Sequence, residues 1–242
     1  MQQLVISFNQ LKSKVSLLDR KWKLASIMLF YAAVYFPWFV YLENRILSPR
    51  RYIWVHMQID DYIPFCEYFI IPYFIWFVYV FSVLVTCLFT DEKEYLHNCA
   101  FLFTGMTIFL IISTVFPNAH RLRPQEFANP NFFTGLVSHL YGVDTASNLF
   151  PSIHVYNSIG AHLAVTHNEV LRQKKWLKYG SFIICVSIIM STVFLKQHSV
   201  FDVLTAFAMA FILYPLVYKV DYATLHERRR ARRQVREQES NI

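Results

Sequence analysis

Residues 63–89 read IPFCEYFIIPYFIWFVYVFSVLVTCLF, a run in which Glu67 is the one charged side chain. A helix needs about 20 apolar residues to cross the hydrocarbon core of a bilayer, and this stretch exceeds that length. Lipid offers no partner to a free N–H or C=O, so such a run is expected to span as a helix. Five further segments follow the same reading, at 24–42, 99–116, 151–167, 177–195 and 199–217. The one at 151–167 is the least apolar, since it carries Ser152, His154, Ser158 and His162. Pro37, Pro72 and Pro215 fall inside spans, where neighbouring helices re-satisfy the freed carbonyls. The expectation is an all-α polytopic bundle of six transmembrane helices. It divides into a cytoplasmic segment 1–23, a membrane domain 24–219 and a basic tail 220–242.

The composition agrees. Of 242 residues, 55% are hydrophobic, 18% aromatic and only 16% charged, against about a quarter charged in soluble domains. Five glycines exclude a collagen-like or Gly-rich repeat protein. The net charge of +7 raises nucleic acid as a partner, but the placement of the charges removes it. Lys12, Lys14, Arg20, Lys21 and Lys23 precede the first span. Arg172, Lys174, Lys175 and Lys178 join spans four and five, and Lys219 and Arg228 to Arg236 follow the sixth. With six alternating spans all three groups share one side, which makes it the cytoplasmic side and puts both termini there. The tail then serves as an anchor on anionic lipid, and an inner or plasma membrane location is expected. The first apolar segment is too long for a signal-peptide h-region and has no A-x-A-like site after it. Cys66, Cys87, Cys99 and Cys185 show no zinc-ligand spacing and read as small apolar packers.

The informative charges lie on the other side. In the connection between spans three and four, Asn129-Pro130 reads as an N-cap with proline at the first helical position. Phe133, Leu136, Val137, Leu140 and Tyr141 then recur at helical spacing, with Gly142 as C-cap. That is a short amphipathic helix, lying in the interface or packed on the end of the bundle. Before it stand His120, Arg121 and Arg123; an arginine fork suits phosphate oxygens. After it, Pro151-Ser152-Ile153-His154 opens span four, where free N–H groups and the helix dipole favour an anion. His198 and Asp202 are four apart and share one helix face, so the carboxylate can fix the imidazole tautomer. Topology brings His154, His198, Asp202, Ser152 and Arg123 to one membrane face. A His–Asp pair at a membrane span is a functional signal in its own right.

These residues resemble the motifs of the type 2 phosphatidic acid phosphatase superfamily, K-x6-R-P, P-S-G-H and S-R-x5-H-x3-D. Arg123-Pro124 matches the end of the first. Pro151-Ser152-Ile153-His154 matches the second, with Ile153 in place of glycine. Ser191, His198 and Asp202 match the third at the family spacing. Two phosphate-clamping cations of the family are missing, their positions being Phe116 and Thr192. Lys196, Arg121 and His120 are the candidate substitutes. The loss also resembles the related sphingomyelin and inositol-phosphorylceramide synthases, which pass a headgroup to a lipid alcohol.

The resemblance implies a lipid phosphatase acting at the outer face without metal or cofactor. It makes His198 the nucleophile, Asp202 its orienting partner and His154 the acid and base. Arg123 and Ser152 would bind the phosphate oxygens of a lipid phosphate. A headgroup transferase is the second reading, and a non-catalytic transporter or structural homologue the third. His162 is expected as a hydrogen-bonded core histidine, Glu67 as the partner of an interfacial arginine, and Asp60 and Asp61 as residues without a metal-ligand role.

Overall fold

The computed structural model describes residues 2–45 and 47–220; the arginine-rich part of the expected tail lies outside them. Among the described residues the regular structure is helical apart from one parallel pair of two-residue strands, β1 (Ile53–Trp54) and β2 (Asn118–Ala119). The helices are α1 (Gln2–Glu43), α2 (Gln58–Tyr62), α3 (Ile70–Thr90), α4 (Glu92–Val115), α5 (Phe132–Val143), α6 (Ile153–His167), α7 (Lys175–Phe194) and α8 (Val200–Tyr214).

Among the described residues, five stretches are long and apolar enough to cross a membrane: Ser16–Glu43, Glu67–Thr90, Glu92–Val115, Lys175–Phe194 and Val200–Lys219. The segment expected as span four does not qualify. It forms α6, whose 15 residues rise only about 22 Å at 1.5 Å per residue, short of a hydrocarbon core of about 30 Å. The reason is its place. It packs against α3, α4, α7 and α8, so its surroundings are protein rather than lipid. Ser152, His154, Asn157 and Ser158 are buried accordingly.

Other boundaries moved for local reasons. α1 runs unbroken from Gln2, so residues 2–23 are helical and continuous with the first apolar stretch, which begins at Ser16. α4 starts seven positions before the expected 99, because Asp91 caps it by accepting the Glu94 N–H at 3.0 Å. The connection after α4 does form a helix, but its N-cap is Asn131, not Asn129. Asn131 Oδ1 accepts the N–H groups of Phe133 (2.8 Å) and Thr134 (3.0 Å), and Thr134 Oγ1 accepts the Asn131 N–H at 2.7 Å. This reciprocal capping box needs the threonine at 134. Gly142 is inside the helix, and Asp144 follows its end. Val137 and Leu140 of α5 pack on Ile70, Tyr73 and Leu195. Glu67 accepts a hydrogen bond from Asn131 Nδ2 at 2.9 Å, not from the arginine expected.

Contacts at the two ends show the helices alternating. At the end here called upper, Asn148 Nδ2 donates to Leu42 O of α1 (3.2 Å), and Ser152 N–H donates to Asp202 O of α8 (3.2 Å). At the lower end, Lys21 Nζ donates to Leu88 O (2.6 Å), Asn168 Nδ2 to Thr90 Oγ1 (2.9 Å) and Tyr218 OH to Glu94 Oε1 (2.9 Å). Lys21, Lys174, Lys175, Lys178 and Lys219 therefore share one end, and the connection from Pro117 to Pro151 lies at the other.

Two glycines let α4 and α6 touch. A Cβ on Gly105 would lie 2.1 Å from Tyr156 Cε1, and one on Gly160 would lie 2.6 Å from Leu102 Cδ2. Small residues of this kind permit close backbone approach where hydrophobic driving force between spans is absent. The approach holds Tyr156 under Phe101, ring to ring at 4.6 Å, with its hydroxyl donating to Phe101 O at 2.8 Å. It also fixes the height of His154, two residues away.

Candidate active site

The upper end of α6 and the start of α8 meet through a chain of side chains. His154 Nδ1 lies 3.3 Å from His198 Nε2, and His198 Nδ1 lies 3.3 Å from Asp202 Oδ2. Asp202 is 0% exposed, His198 6% and His154 8%. An ionised Asp202 only accepts, so His198 Nδ1 carries a hydrogen. His198 Nε2 then offers its lone pair, and His154 Nδ1 must donate to it. The His154 ring is boxed by Tyr73 and Trp76, with centroids 4.7 and 4.4 Å away.

The local sequence explains the alignment. Ser199 caps α8, accepting the Phe201 N–H at 3.2 Å, and Asp202 Oδ2 returns to accept the Ser199 N–H at 2.9 Å. Asp202 is thus both the N3 member of a capping box and the partner of His198. Ser152 caps α6, its Oγ accepting the Val155 N–H at 3.4 Å. Phe150 precedes Pro151 through a cis bond, and Asn118 Oδ1 holds the approach by accepting the N–H groups of Leu149 (2.6 Å) and Phe150 (3.2 Å).

A residue outside every motif steadies this corner. Asp60, buried on α2, accepts the Ser199 hydroxyl at Oδ2 (2.5 Å) and the Val200 N–H at Oδ1 (2.8 Å). Lys196 Nζ donates to the carbonyls of Asp60 (2.7 Å) and Ile63 (2.5 Å). Lys196 has φ 52°, a left-handed backbone that costs about 1–3 kcal/mol outside glycine, and its side-chain tether opposes that cost. The α2 loop therefore grips both sides of His198.

The expected phosphate binders are disposed unequally. Arg123 Nη1 donates to Tyr141 O (3.2 Å), and Nη2 to Asp144 O (2.8 Å), Thr145 O (3.0 Å) and the Gln197 side-chain oxygen. Its guanidinium stacks 4.4 Å over the Tyr141 ring. It is a cation at the C-terminal end of α5, where the dipole favours it, and burial pulls its pKa down. Lys196 is committed to the carbonyls of the α2 loop, and burial lowers its pKa too. Arg121 is exposed and stacks 4.2 Å over Trp54, bordering a surface cavity of about 330 Å³ with His56 and Asp61. His120 reaches the site's backbone, with Nε2 2.9 Å from Gln197 O and Nδ1 accepting the Leu122 N–H at 3.2 Å. A carbonyl on one nitrogen and an N–H on the other demand the neutral ring. Burial first, then His198 and Arg123, push its pKa down to about 4, so it does not supply a cation. Ser191 is buried within α7, its hydroxyl donating to Ile188 O at 2.6 Å. Thr192, at the position of the family arginine, is likewise turned inward, to Ile189 O at 2.7 Å. Phe116 is exposed.

Several buried polar atoms here have no partner among the described residues: Asp202 Oδ1, Gln197 Nε2, Arg123 Nε, Asn157 Oδ1 and Trp76 Nε1. Buried polar groups are nearly always paired, so these atoms can take a polar partner, as can Tyr35 OH, the Asn98 amide and Ser113 Oγ elsewhere in the bundle. Gln197 and Asp60 are the contributors that the motifs did not reveal. The neighbour of His198 in sequence was a readable hint for Gln197; Asp60 carried no local signal. The chain matches no family model, no curated protein and no solved structure.

Proposed function

We propose that this chain is an integral-membrane lipid phosphatase that cleaves a lipid phosphate through a phosphohistidine. The observation that carries the reading is the buried His154–His198–Asp202 chain, two 3.3 Å contacts long. In the proposed reaction His198 Nε2 attacks phosphorus and the bond from phosphorus to the lipid oxygen breaks. His154 enters this step as the imidazolium, and the leaving oxygen takes its Nδ1 proton. Asp202 stabilises the charge on His198 through Nδ1–H. His154, now neutral at Nδ1, takes a proton from water. The water oxygen attacks phosphorus, the N–P bond breaks, and inorganic phosphate leaves. In this reading the unpaired donors Gln197 Nε2 and Arg123 Nε, with the start of α6, bind the non-bridging oxygens. Phosphoryl transfer asks for this combination of positioning and charge stabilisation.

The membrane reading extends it. α6 completes six crossings, the lysine-rich lower end is cytoplasmic, and the site faces outward, with α5 at the interface. A second reading, transfer of a phospholipid headgroup to a lipid alcohol, is favoured by Phe116 and Thr192 in place of two cations. A non-catalytic membrane protein is opposed by the burial of an ionisable His–Asp pair, which costs free energy that packing alone does not repay.

Purified protein in detergent should release inorganic phosphate from at least one member of a panel of lipid phosphates and diphosphates. A new phospholipid formed only when an acceptor alcohol is present would assign the transferase. Absence of any turnover, with His198→Ala indistinguishable from wild type, would remove both enzymatic readings.

A further inference from the structure

A second cleft lies at the lower end of the bundle, away from His154 and His198. It holds about 270 Å³ between α3 and α7, lined among others by Tyr79, Val83, Val165, Trp176 and Ile184. It exists because Gly180, part of its wall, leaves the space empty: a Cβ there would meet nothing within 4 Å. The lining is mainly apolar, and both flanking helices are of membrane-crossing length. An opening between such helices faces acyl chains.

Its lining residues Leu171, Trp176, Leu177 and Gly180 alternate in sequence with cations. Arg172, Lys174, Lys175 and Lys178 are all exposed, as is Trp176. Among the described residues none of these four side chains makes an ion pair, and Glu169 is the one carboxylate in 168–180. An exposed tryptophan beside lysines is the pattern of an interface anchor. Topology alone accounts for the lysines, since they would hold any span in place. It does not account for an apolar slot directly beside them. Slot and cations together complement a lipid with apolar chains and a net negative headgroup.

We propose that this cleft binds an anionic glycerophospholipid of the lower leaflet, one acyl chain between α3 and α7 and its phosphate over Lys174, Lys175 and Lys178. The inference does not depend on what the histidines do.

Native mass spectrometry of the full chain in detergent, titrated with dioleoylphosphatidylglycerol or dioleoylphosphatidylcholine, tests it. Basic residues near anionic lipid contribute enough each that three of them give a preference of at least about tenfold. The triple substitution Lys174→Gln, Lys175→Gln, Lys178→Gln should abolish that preference. Gly180→Leu should weaken phosphatidylglycerol binding by a similar factor by filling the slot, and it improves helix propensity, so the fold is kept. His198→Ala should retain the preference. Equal binding of the two lipids by wild type, or an unchanged preference in the triple variant, overturns the proposal. So does wild-type binding by Gly180→Leu, which would leave only a basic surface. Loss of the preference in His198→Ala would overturn it as well, by placing the lipid at the histidines.

Discussion

The two ends of α6 carry the same residue types and treat them oppositely. At the lower end His162 Nδ1 meets Ser181 Oγ at 3.0 Å, His167 meets Leu163 O at 2.8 Å and Tyr214 OH at 3.1 Å, and Asn168 caps the next turn. Each histidine there has a protein partner. At the upper end His154 faces another imidazole, and the polar atoms around it include Asp202 Oδ1, Gln197 Nε2 and Arg123 Nε without partners. Along one helix, the half-buried histidines of the lower end have protein partners, and the buried one at the upper end faces polar atoms that lack them. Histidine inside a membrane bundle is therefore not the signal of chemistry. The signal is a histidine whose surroundings hold donors and acceptors in excess of what the protein itself uses.

The largest effect that bears on this contrast is removal of the proposed nucleophile. His198→Ala should lower phosphate release by about a thousandfold or more, the scale at which nucleophilic and acid–base roles are lost together. Residual turnover within tenfold of wild type would erase the distinction between the two ends. His154→Ala should fall in the same range without adding to His198→Ala, because members of one catalytic unit are not additive.

Next is the pH dependence of stability set by His120. Its pKa falls from 6.5 unfolded to about 4 folded. The unfolded state binds the proton more readily, so stability from this group is fully present above pH 6.5 and is lost as pH falls toward 4. The ceiling is about 3 kcal/mol, at 1.36 kcal/mol per pH unit. Thermal unfolding of wild type and His120→Gln between pH 7 and 4 should diverge in that window, with the variant flatter. Parallel curves would show that the Gln197 carbonyl and the Leu122 N–H do not hold the ring neutral.

Asp60 gives a smaller change, aimed at the scaffold of the upper end. In Asp60→Asn one oxygen becomes an amide that must face either the Val200 N–H or the donors Ser199 Oγ–H and Met57 N–H. His198 would lose its grip from the α2 loop, and misplacement of a catalytic group by about 1 Å costs on the order of a hundredfold. We expect kcat to fall about 10- to 100-fold with KM moved less than about threefold. A change confined to KM would place Asp60 in substrate binding instead.

How much of this was legible differs residue by residue. The long apolar runs announced α1, α3, α4, α7 and α8, because lipid tolerates little else on a helix surface. α6 was visible as the odd one, read at 151–167 against the observed Ile153–His167, and its 15 residues fall short of the length that its reading as a span supposes. A helix shielded by protein on all sides owes nothing to bilayer thickness. His198 and Asp202 were legible as a pair by their spacing, although His198 lies before the Ser199 N-cap rather than on α8 and meets Asp202 because that carboxylate turns back over the cap; alternation of the helices then brought His154 beside them. Asp60 was not, since it meets Ser199 across 139 positions and sits in no pattern. The fate of Arg123 was hidden for another reason: backbone carbonyls accept most of its hydrogens, and carbonyls leave no mark in sequence. The cap of α5 was readable, because Thr134 three residues after Asn131 completes a box that Asn129 cannot.

The smallest effect closes the contrast from the lower end. In His162→Asn the bond to Ser181 Oγ is lost, but Ser181 keeps its contact with Tyr79 OH at 2.6 Å, so no polar atom is stranded. A hydrogen bond removed without leaving an unpaired partner costs about 1 kcal/mol. Thermal stability should drop by that modest amount, while phosphate release and its pH profile stay within about twofold of wild type. His162 lies on the same helix as His154 and on roughly the same face, two turns away. If its replacement slowed turnover as His154→Ala does, protonation would have to travel the length of α6, and the polar atoms at the lower end would be part of the reaction rather than part of the packing.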